Sequence, residues 1–70
     1  MDAFSMTVNG EPHRFDGETL TVLGMLDALG FAGRRVAVEV NRAIVKRADH
    51  AEFKVCDGDV VEIVQFVGGG

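Results

Sequence analysis

The chain of 70 residues has one cysteine, one proline and two histidines. The single cysteine, Cys56, has no second cysteine in the chain with which to form a disulfide. One cysteine is also too few for a cysteine-ligated metal cluster. The histidines, His13 and His50, are too few and too scattered along the sequence to build a metal site. From these counts we expect a protein that binds no metal. A lack of disulfides is typical of a reducing compartment, so we also expect the protein to be cytoplasmic.

Basic residues and long apolar runs are also scarce. The sequence contains seven Lys and Arg residues and eleven Asp and Glu residues, which gives a net charge of −4. That balance argues against nucleic acid, whose phosphates require a basic footprint. It mildly favours a basic protein partner, although solubility alone explains a modest negative charge. No apolar stretch reaches the roughly 18 residues of a membrane span, and the N-terminus lacks the features of a signal peptide.

The first part of the sequence predicts a β-hairpin followed by a helix. Residues 4–8 alternate apolar and polar side chains, Asn9-Gly10 is a strong hairpin turn, and residues 13–15 return as a second strand. Thr21 is placed to cap the helix, and Gly30 to end it in the left-handed conformation. The apolar face of this helix comprises Val22, Met25, Leu26 and Leu29.

The second part predicts three more strands. Residues 36–40 alternate, a turn at Asn41 leads into residues 43–45, and the DGD turn at residues 57–59 starts a last strand. The order ββαβββ predicts an α+β fold, in which a mixed sheet of about five strands carries one main helix on one face. With the first and last strands as central neighbours, this is the β-grasp, or ubiquitin-like, architecture.

The chain closes on three glycines, Gly68, Gly69 and Gly70, directly after the last strand. We expect residues 1–66 to form the domain and residues 67–70 to form a flexible tail. Glycine lacks a Cβ and tolerates positive φ, so such a tail can be threaded into a narrow pocket. The alternative is that the glycines are a cloning remnant or a disordered stub.

Several segments of the chain together form a recognisable pattern: residues 8–10, 21–23 with Leu26, 36–41, 44–45 with Arg47, 57–64 and 67–70. In these residues the chain resembles the thiamine-biosynthesis sulfur carrier family, ThiS. The resemblance covers nearly the whole chain and is strongest in the combination of length, DGD turn, VEIV strand and VGGG ending.

The resemblance implies a function for the tail. Gly70 would be adenylated by an ATP-dependent activating enzyme, a ThiF-like adenylyltransferase, and converted to a thiocarboxylate. The sulfur would then pass to a ThiG-like thiazole synthase. ATP would be used by the partner, because the glycines here lack the lysine and helix of a phosphate-binding loop. The chain would be a co-substrate with no bound cofactor and no catalytic residue of its own, since no acid–base pair or triad is evident.

Two departures and two alternatives accompany the resemblance. The family often has proline at Lys46 and an aromatic residue at His50, which leaves the conformation of that loop open. The molybdopterin synthase small subunit shares the fold and the glycine ending but often carries prolines before its glycines. Residues 65–67 have none, which favours thiamine over molybdopterin or another sulfur pathway. A ubiquitin-like interaction module without chemistry at its end is the other alternative.

The last strand offers a face for docking. If Val61 and Ile63 point inward, the alternate residues point outward and, with the start of the tail, form a contact patch. That tentative patch consists of Glu62, Val64, Phe66 and Val67. The alternative for Phe66 is that it folds back onto the edge of the domain.

Other side chains have simpler explanations. Cys56 is expected to be a small packed hydrophobe rather than a nucleophile, and Phe53 and Val55 to tuck under the sheet. Asp57 and Asp59 are expected to accept hydrogen bonds from backbone amides rather than to hold a metal. Both histidines are expected at the surface. A solvated face, rather than a functional basic strip, is expected for Arg34, Arg35, Arg42, Lys46 and Arg47.

Overall fold

The structure, a computed structural model, describes residues 2–66, and the elements below are those of that part of the chain. Its elements in chain order are β1 (Ala3–Val8), β2 (Glu11–Asp16), β3 (Thr19–Thr21), α1 (Val22–Ala28), β4 (Val36–Val40), β5 (Ala43–Val45), a 3₁₀ helix (Arg47–Asp49), β6 (Lys54–Cys56) and β7 (Val60–Gln65).

The main sheet has five strands in the order β2-β1-β7-β4-β5. The central pair, β1 and β7, is parallel, while the pairs β1–β2, β4–β7 and β4–β5 are antiparallel. The helix α1 contributes its buried side chains to the same core as the inward residues of this sheet. The predicted mixed sheet, with the first and last strands as central neighbours and one α-helix, is therefore confirmed.

A second, two-stranded sheet was not predicted. In it β3 pairs antiparallel with β6, so that Leu20 lies opposite Val55. Three residues are too short a segment to show a periodic pattern, and the partners are far apart in sequence. The pairing brings the segment before β6 against the start of α1, where the Val22 amide donates to the Phe53 carbonyl and the Leu23 amide to the His50 carbonyl, both at 2.8 Å.

The core follows the predicted periodicities. In β1 and β7 alternate residues are buried, and in α1 the buried residues Val22, Met25 and Leu26 lie on one face. Burying a side chain as large as Met25 contributes about 1.5–3 kcal/mol to stability. The core consists of Phe4, Met6, Val8, Phe15, Val22, Met25, Leu26, Val38, Val40, Val45, Val55, Val61 and Ile63.

Both ends of α1 are capped as predicted. The Thr21 hydroxyl accepts from the Gly24 amide at 3.0 Å. At the other end Gly30 has φ +87°, its amide donates to Asp27, and the Phe31 amide donates to Leu26 at 2.8 Å. These two bonds satisfy carbonyls that the helix end would otherwise leave unpaired.

Gly24 is explained by the cap rather than by packing on the sheet. A Cβ at this position would lie 3.2 Å from the Thr21 Oγ1 and 3.6 Å from a methyl carbon of Leu20. A side chain here would therefore crowd the hydroxyl that caps the helix, so glycine is tolerated despite its low helix propensity.

Three expectations about the segment after β5 are wrong. His50 is buried, not at the surface, because residues 47–53 fold over the start of α1, and its Nε2 lies 3.1 Å from the Val45 carbonyl oxygen. Cys56 is exposed rather than packed, since it alternates with the buried Val55 in β6. Val55 is buried as expected, but Phe53 is 40% exposed.

Candidate functional site

The candidate site is the outward side of β7, the strand that leads to the glycine tail. Val61 and Ile63 are buried, whereas Glu62, Val64 and Phe66 are exposed. The exposed fraction is 58% for Val64 and 61% for Phe66. The predicted alternation is thus confirmed, and the alternative that Phe66 folds back onto the domain edge is wrong.

The DGD turn fixes the start of β7. The Asp57 Oδ1 accepts from the Ser5 amide and the Asp59 Oδ2 from the Cys56 amide, both at 2.9 Å. Gly58 has φ +86°, a conformation that L side chains rarely adopt, and its amide donates to the Ser5 carbonyl at 2.9 Å. The prediction that these carboxylates bind backbone amides is confirmed.

Two asparagines that the sequence predicts only as turn residues hold β7 at its start and at Ile63. The Asn9 Oδ1 accepts from the Ile63 amide at 2.7 Å, and its Nδ2 donates to the Ile63 carbonyl at 3.1 Å. This side chain continues the parallel ladder beyond the pair Val8–Val61. Asn41 likewise accepts from the Val60 amide at 2.9 Å and donates to Asp59 at 3.0 Å.

The end of the strand is also anchored. The Phe66 amide donates to the Arg35 carbonyl at 3.0 Å, and the Arg34 Nη1 lies 3.5 Å from the Gln65 Oε1. The backbone is therefore fixed up to the last described residue. The other predicted site residues, Val67, Gly68, Gly69 and Gly70, lie outside the described residues.

The outward side of β7 belongs to a larger exposed surface, which we call the outer face. In the register Val64 lies opposite Ala37, and Glu62 lies opposite Glu39, which in turn lies opposite Ile44. Ile44 is 75% exposed and was missed, although its place between Ala43 and the inward Val45 on β5 carries the signal. The outer face combines Glu39, Glu62, Ala37, Ile44, Val64 and Phe66.

Within residues 2–66 no helix is long and apolar enough to cross a membrane. In the same residues no group of three or more His, Cys, Asp and Glu side chains is arranged to hold a metal ion.

Comparison with known proteins gives relatives of two lengths. A sulfur carrier protein ThiS from Bacillus subtilis is 35% identical over 65 residues, which is 93% of this chain and 98% of that protein. A thiazole synthase from Magnetococcus marinus is 44% identical over 63 residues, which is 90% of this chain. This chain spans only 19% of that thiazole synthase.

A solved structure and a family model agree with the first of these relatives. The thiamine biosynthesis protein (ThiS) from Geobacter metallireducens superposes with a TM-score of 0.82 at 42% identity, covering 96% of this chain and 100% of that one. The model of the ThiS family matches residues 6–70. Because this match includes nearly the whole β-grasp domain together with the glycine ending, the chain belongs to the ThiS family.

Proposed function

We propose that this chain is a cytoplasmic sulfur carrier of thiamine biosynthesis, and that Gly70 carries the sulfur. The observation that carries the proposal is the family match over residues 6–70, together with a sulfur carrier relative of nearly equal length. The anchored β7 supports it, because the strand fixes the backbone up to Phe66, the last described residue before the glycines. Molybdopterin synthesis remains the competing pathway for the same chemistry.

The chemistry requires a partner for each step. A carboxylate oxygen of Gly70 attacks the α-phosphorus of ATP and displaces pyrophosphate, which leaves an acyl adenylate. Hydrosulfide, supplied by a sulfide-level donor, then attacks the acyl carbon and displaces AMP, which leaves a thiocarboxylate and releases a proton. ATP is bound by a ThiF-like adenylyltransferase, so this chain acts as a co-substrate and not as an enzyme.

The thiocarboxylate then donates its sulfur to a ThiG-like thiazole synthase. Support comes from two relatives that are named thiazole synthase and contain a segment 44–45% identical to this chain. In both, this chain spans no more than a fifth of the protein, so the carrier sequence occurs within a thiazole synthase polypeptide. Such an association favours a thiazole synthase as the acceptor of the sulfur.

The outer face would dock these partners. Val64 and Phe66 are exposed apolar side chains within four residues of Gly68 in the sequence, and Ile44 extends the surface across β4. Apolar anchors that become buried in an interface contribute most of its binding energy. That energy offsets the conformational entropy lost when a glycine tail is held in an active site.

Intact-mass measurement tests the carrier role. With the adenylyltransferase, ATP and a sulfur donor, the mass should rise by the difference between sulfur and oxygen. An unchanged mass, under conditions that load sulfur onto the ThiS protein of Bacillus subtilis, would contradict the proposal. Rescue of a molybdenum-cofactor auxotroph but not of a thiamine auxotroph would assign the chain to the competing pathway.

A pull-down with thiazole synthase tests the docking surface. Replacing Val64 or Phe66 by Asp should lower binding at least about tenfold, as expected for the loss of a central apolar anchor. Phe53→Asp is the matched control, because Phe53 is exposed but is not on the outer face. Equal binding by all three variants would place the interface elsewhere.

A further inference from the structure

A groove beside α1 lies apart from the outer face, and the function proposed above does not require it. It encloses about 160 Å³ between the helix, the segment before β4 and the segment that follows the 3₁₀ helix. Its apolar lining includes Leu26, Phe31, Val36 and Leu23, the last with 52% of its surface exposed. We call this feature the α1 groove.

The charge of the α1 groove is opposite to that of the whole protein. The chain has a net charge of −4 with its histidines counted as neutral, yet the charged residues that line the groove are Arg34 and Arg47, and no carboxylate lines it. A guanidinium presents several N–H donors in a fork that matches a carboxylate. The lining therefore selects for an anion attached to an apolar group.

The backbones that carry the two arginines are held by turn hydrogen bonds. The Arg34 amide donates to the Phe31 carbonyl at 3.0 Å, and the Arg47 carbonyl accepts from the His50 amide at 3.1 Å. One nitrogen of Arg34 lies at 3.5 Å from Gln65, so most of the donors of this guanidinium are free of that contact. Both arginines thus extend from anchored backbone positions and line the groove with their side chains.

The start of α1 does not supply the anion site. The amides of Val22 and Leu23 donate to the carbonyls of Phe53 and His50, and the Gly24 amide donates to the Thr21 hydroxyl. With these three donors in use, the start of the helix offers no free amide to a carboxylate, and the arginine side chains are the cationic donors of the lining. The expected binding therefore depends on Arg34 and Arg47 specifically.

The size of the groove favours a protein segment over a small molecule. Pockets for cofactors and drug-sized ligands usually enclose about 300–1,000 Å³, more than is available here. A volume of 160 Å³ suits one bulky side chain of a partner, the kind of anchor that fills a pocket at an interface. We propose that the α1 groove binds an acidic peptide segment of a partner protein, with one apolar side chain in the pocket and flanking carboxylates on Arg34 and Arg47.

The proposal rests on the proposed function only for the choice of partner. Arg34, which lines the groove, also contacts Gln65 at the end of β7. A partner protein that acts on the glycine ending could therefore contact the groove at the same time. Peptide binding itself requires neither ATP nor sulfur. Peptide binding to the groove can therefore be tested on the chain without bound sulfur. The result of that test is independent of the mass measurement above.

Backbone amide chemical shifts, followed during titration with acetyl-Glu-Leu-Asp-amide, provide the test. We expect saturable shifts at Leu23, Gly33 and Ala51 and none along β2. Arg34→Gln and Arg47→Gln should each weaken binding by about two- to fivefold, the range of partly exposed ion pairs. Arg14→Gln removes the same charge from the exposed side of β2 and should leave the affinity unchanged. Unfolding midpoints of the three variants check that each is folded.

Two further probes identify what the groove recognises. The neutral acetyl-Gln-Leu-Asn-amide and the anchorless acetyl-Glu-Ala-Asp-amide should both bind more weakly than the acidic leucine peptide. Equal binding by the neutral peptide, or shifts outside the groove, would overturn the proposal, as would no binding of the acidic peptide. If 4-methylpentanoate alone binds as tightly as the peptide, the groove takes free carboxylic acids and the assignment to a protein segment is wrong.

Discussion

At the residue scale, single side chains replace backbone pairing at the central strand. Asn9 has φ +50° in the first turn, and its amide group makes two hydrogen bonds to the backbone of Ile63. Sequence reasoning identified Asn9 as a turn former because that preference is local. The contact with Ile63 joins residues 54 positions apart and has no local signal.

Asn9→Gly should lower the free energy of unfolding by about 1–3 kcal/mol. Glycine keeps the left-handed conformation but leaves the Ile63 amide and carbonyl without partners, and that cost falls in this range. Urea unfolding measures the loss, and amide hydrogen exchange should show reduced protection at Ile63. Asn9→Asp keeps the acceptor and should lose less stability. An Asn9→Gly variant as stable as the parent would contradict a stabilising role for the two hydrogen bonds between Asn9 and Ile63.

Arg42 illustrates a local conflict between residue and conformation. It has φ +72°, a region that is costly for a residue with a Cβ. Arg42→Gly should therefore raise the free energy of unfolding by about 0.5–1 kcal/mol, measured by urea unfolding. Arg42→Ala removes the charge but keeps the Cβ and should bring no gain; an equal gain in both variants would attribute the effect to charge.

At the element scale, β7 has different roles on its two sides. Val61 is fully buried between β1 and β4, while Val64 is 58% exposed on the outer face. Val61→Ala should lower the free energy of unfolding by about 2–3 kcal/mol, because a buried branched side chain leaves a cavity. Val64→Ala should change it by less than about 0.5 kcal/mol, as surface substitutions usually do.

Thermal or urea unfolding of this matched pair tests the orientation of the strand. A pull-down with thiazole synthase on the same variants separates stability from docking. We expect Val64→Ala to weaken the complex and Val61→Ala to retain it while the domain is folded. Equal destabilisation by the two substitutions would contradict the alternation of β7.

At the scale of the whole molecule, local signals were sufficient for the main architecture. The turn at Asn9, the cap at Thr21 and the end at Gly30 each follow from the preferences of a few neighbouring residues, and they gave the order of strands around α1. The β3–β6 pair and the burial of His50 depend on tertiary contacts that no local window contains. The outward residues of β7 were predictable from alternation, but Ile44 joins them only through the register of β4.

The proposed division between a stable domain and a reactive end leads to a last prediction. Deleting Gly69 and Gly70 should leave the free energy of unfolding within about 0.5 kcal/mol of the parent, because the core lies within residues 4–63 and chain ends that bury little tolerate truncation. The same deletion should abolish the gain in mass on incubation with the adenylyltransferase, ATP and a sulfur donor. Val61→Ala is the reciprocal control. This variant should be less stable, yet it should still gain the sulfur mass below its unfolding temperature. If the shortened chain gained sulfur at its new terminus as fast as the parent, Gly70 would not be the required sulfur-bearing residue.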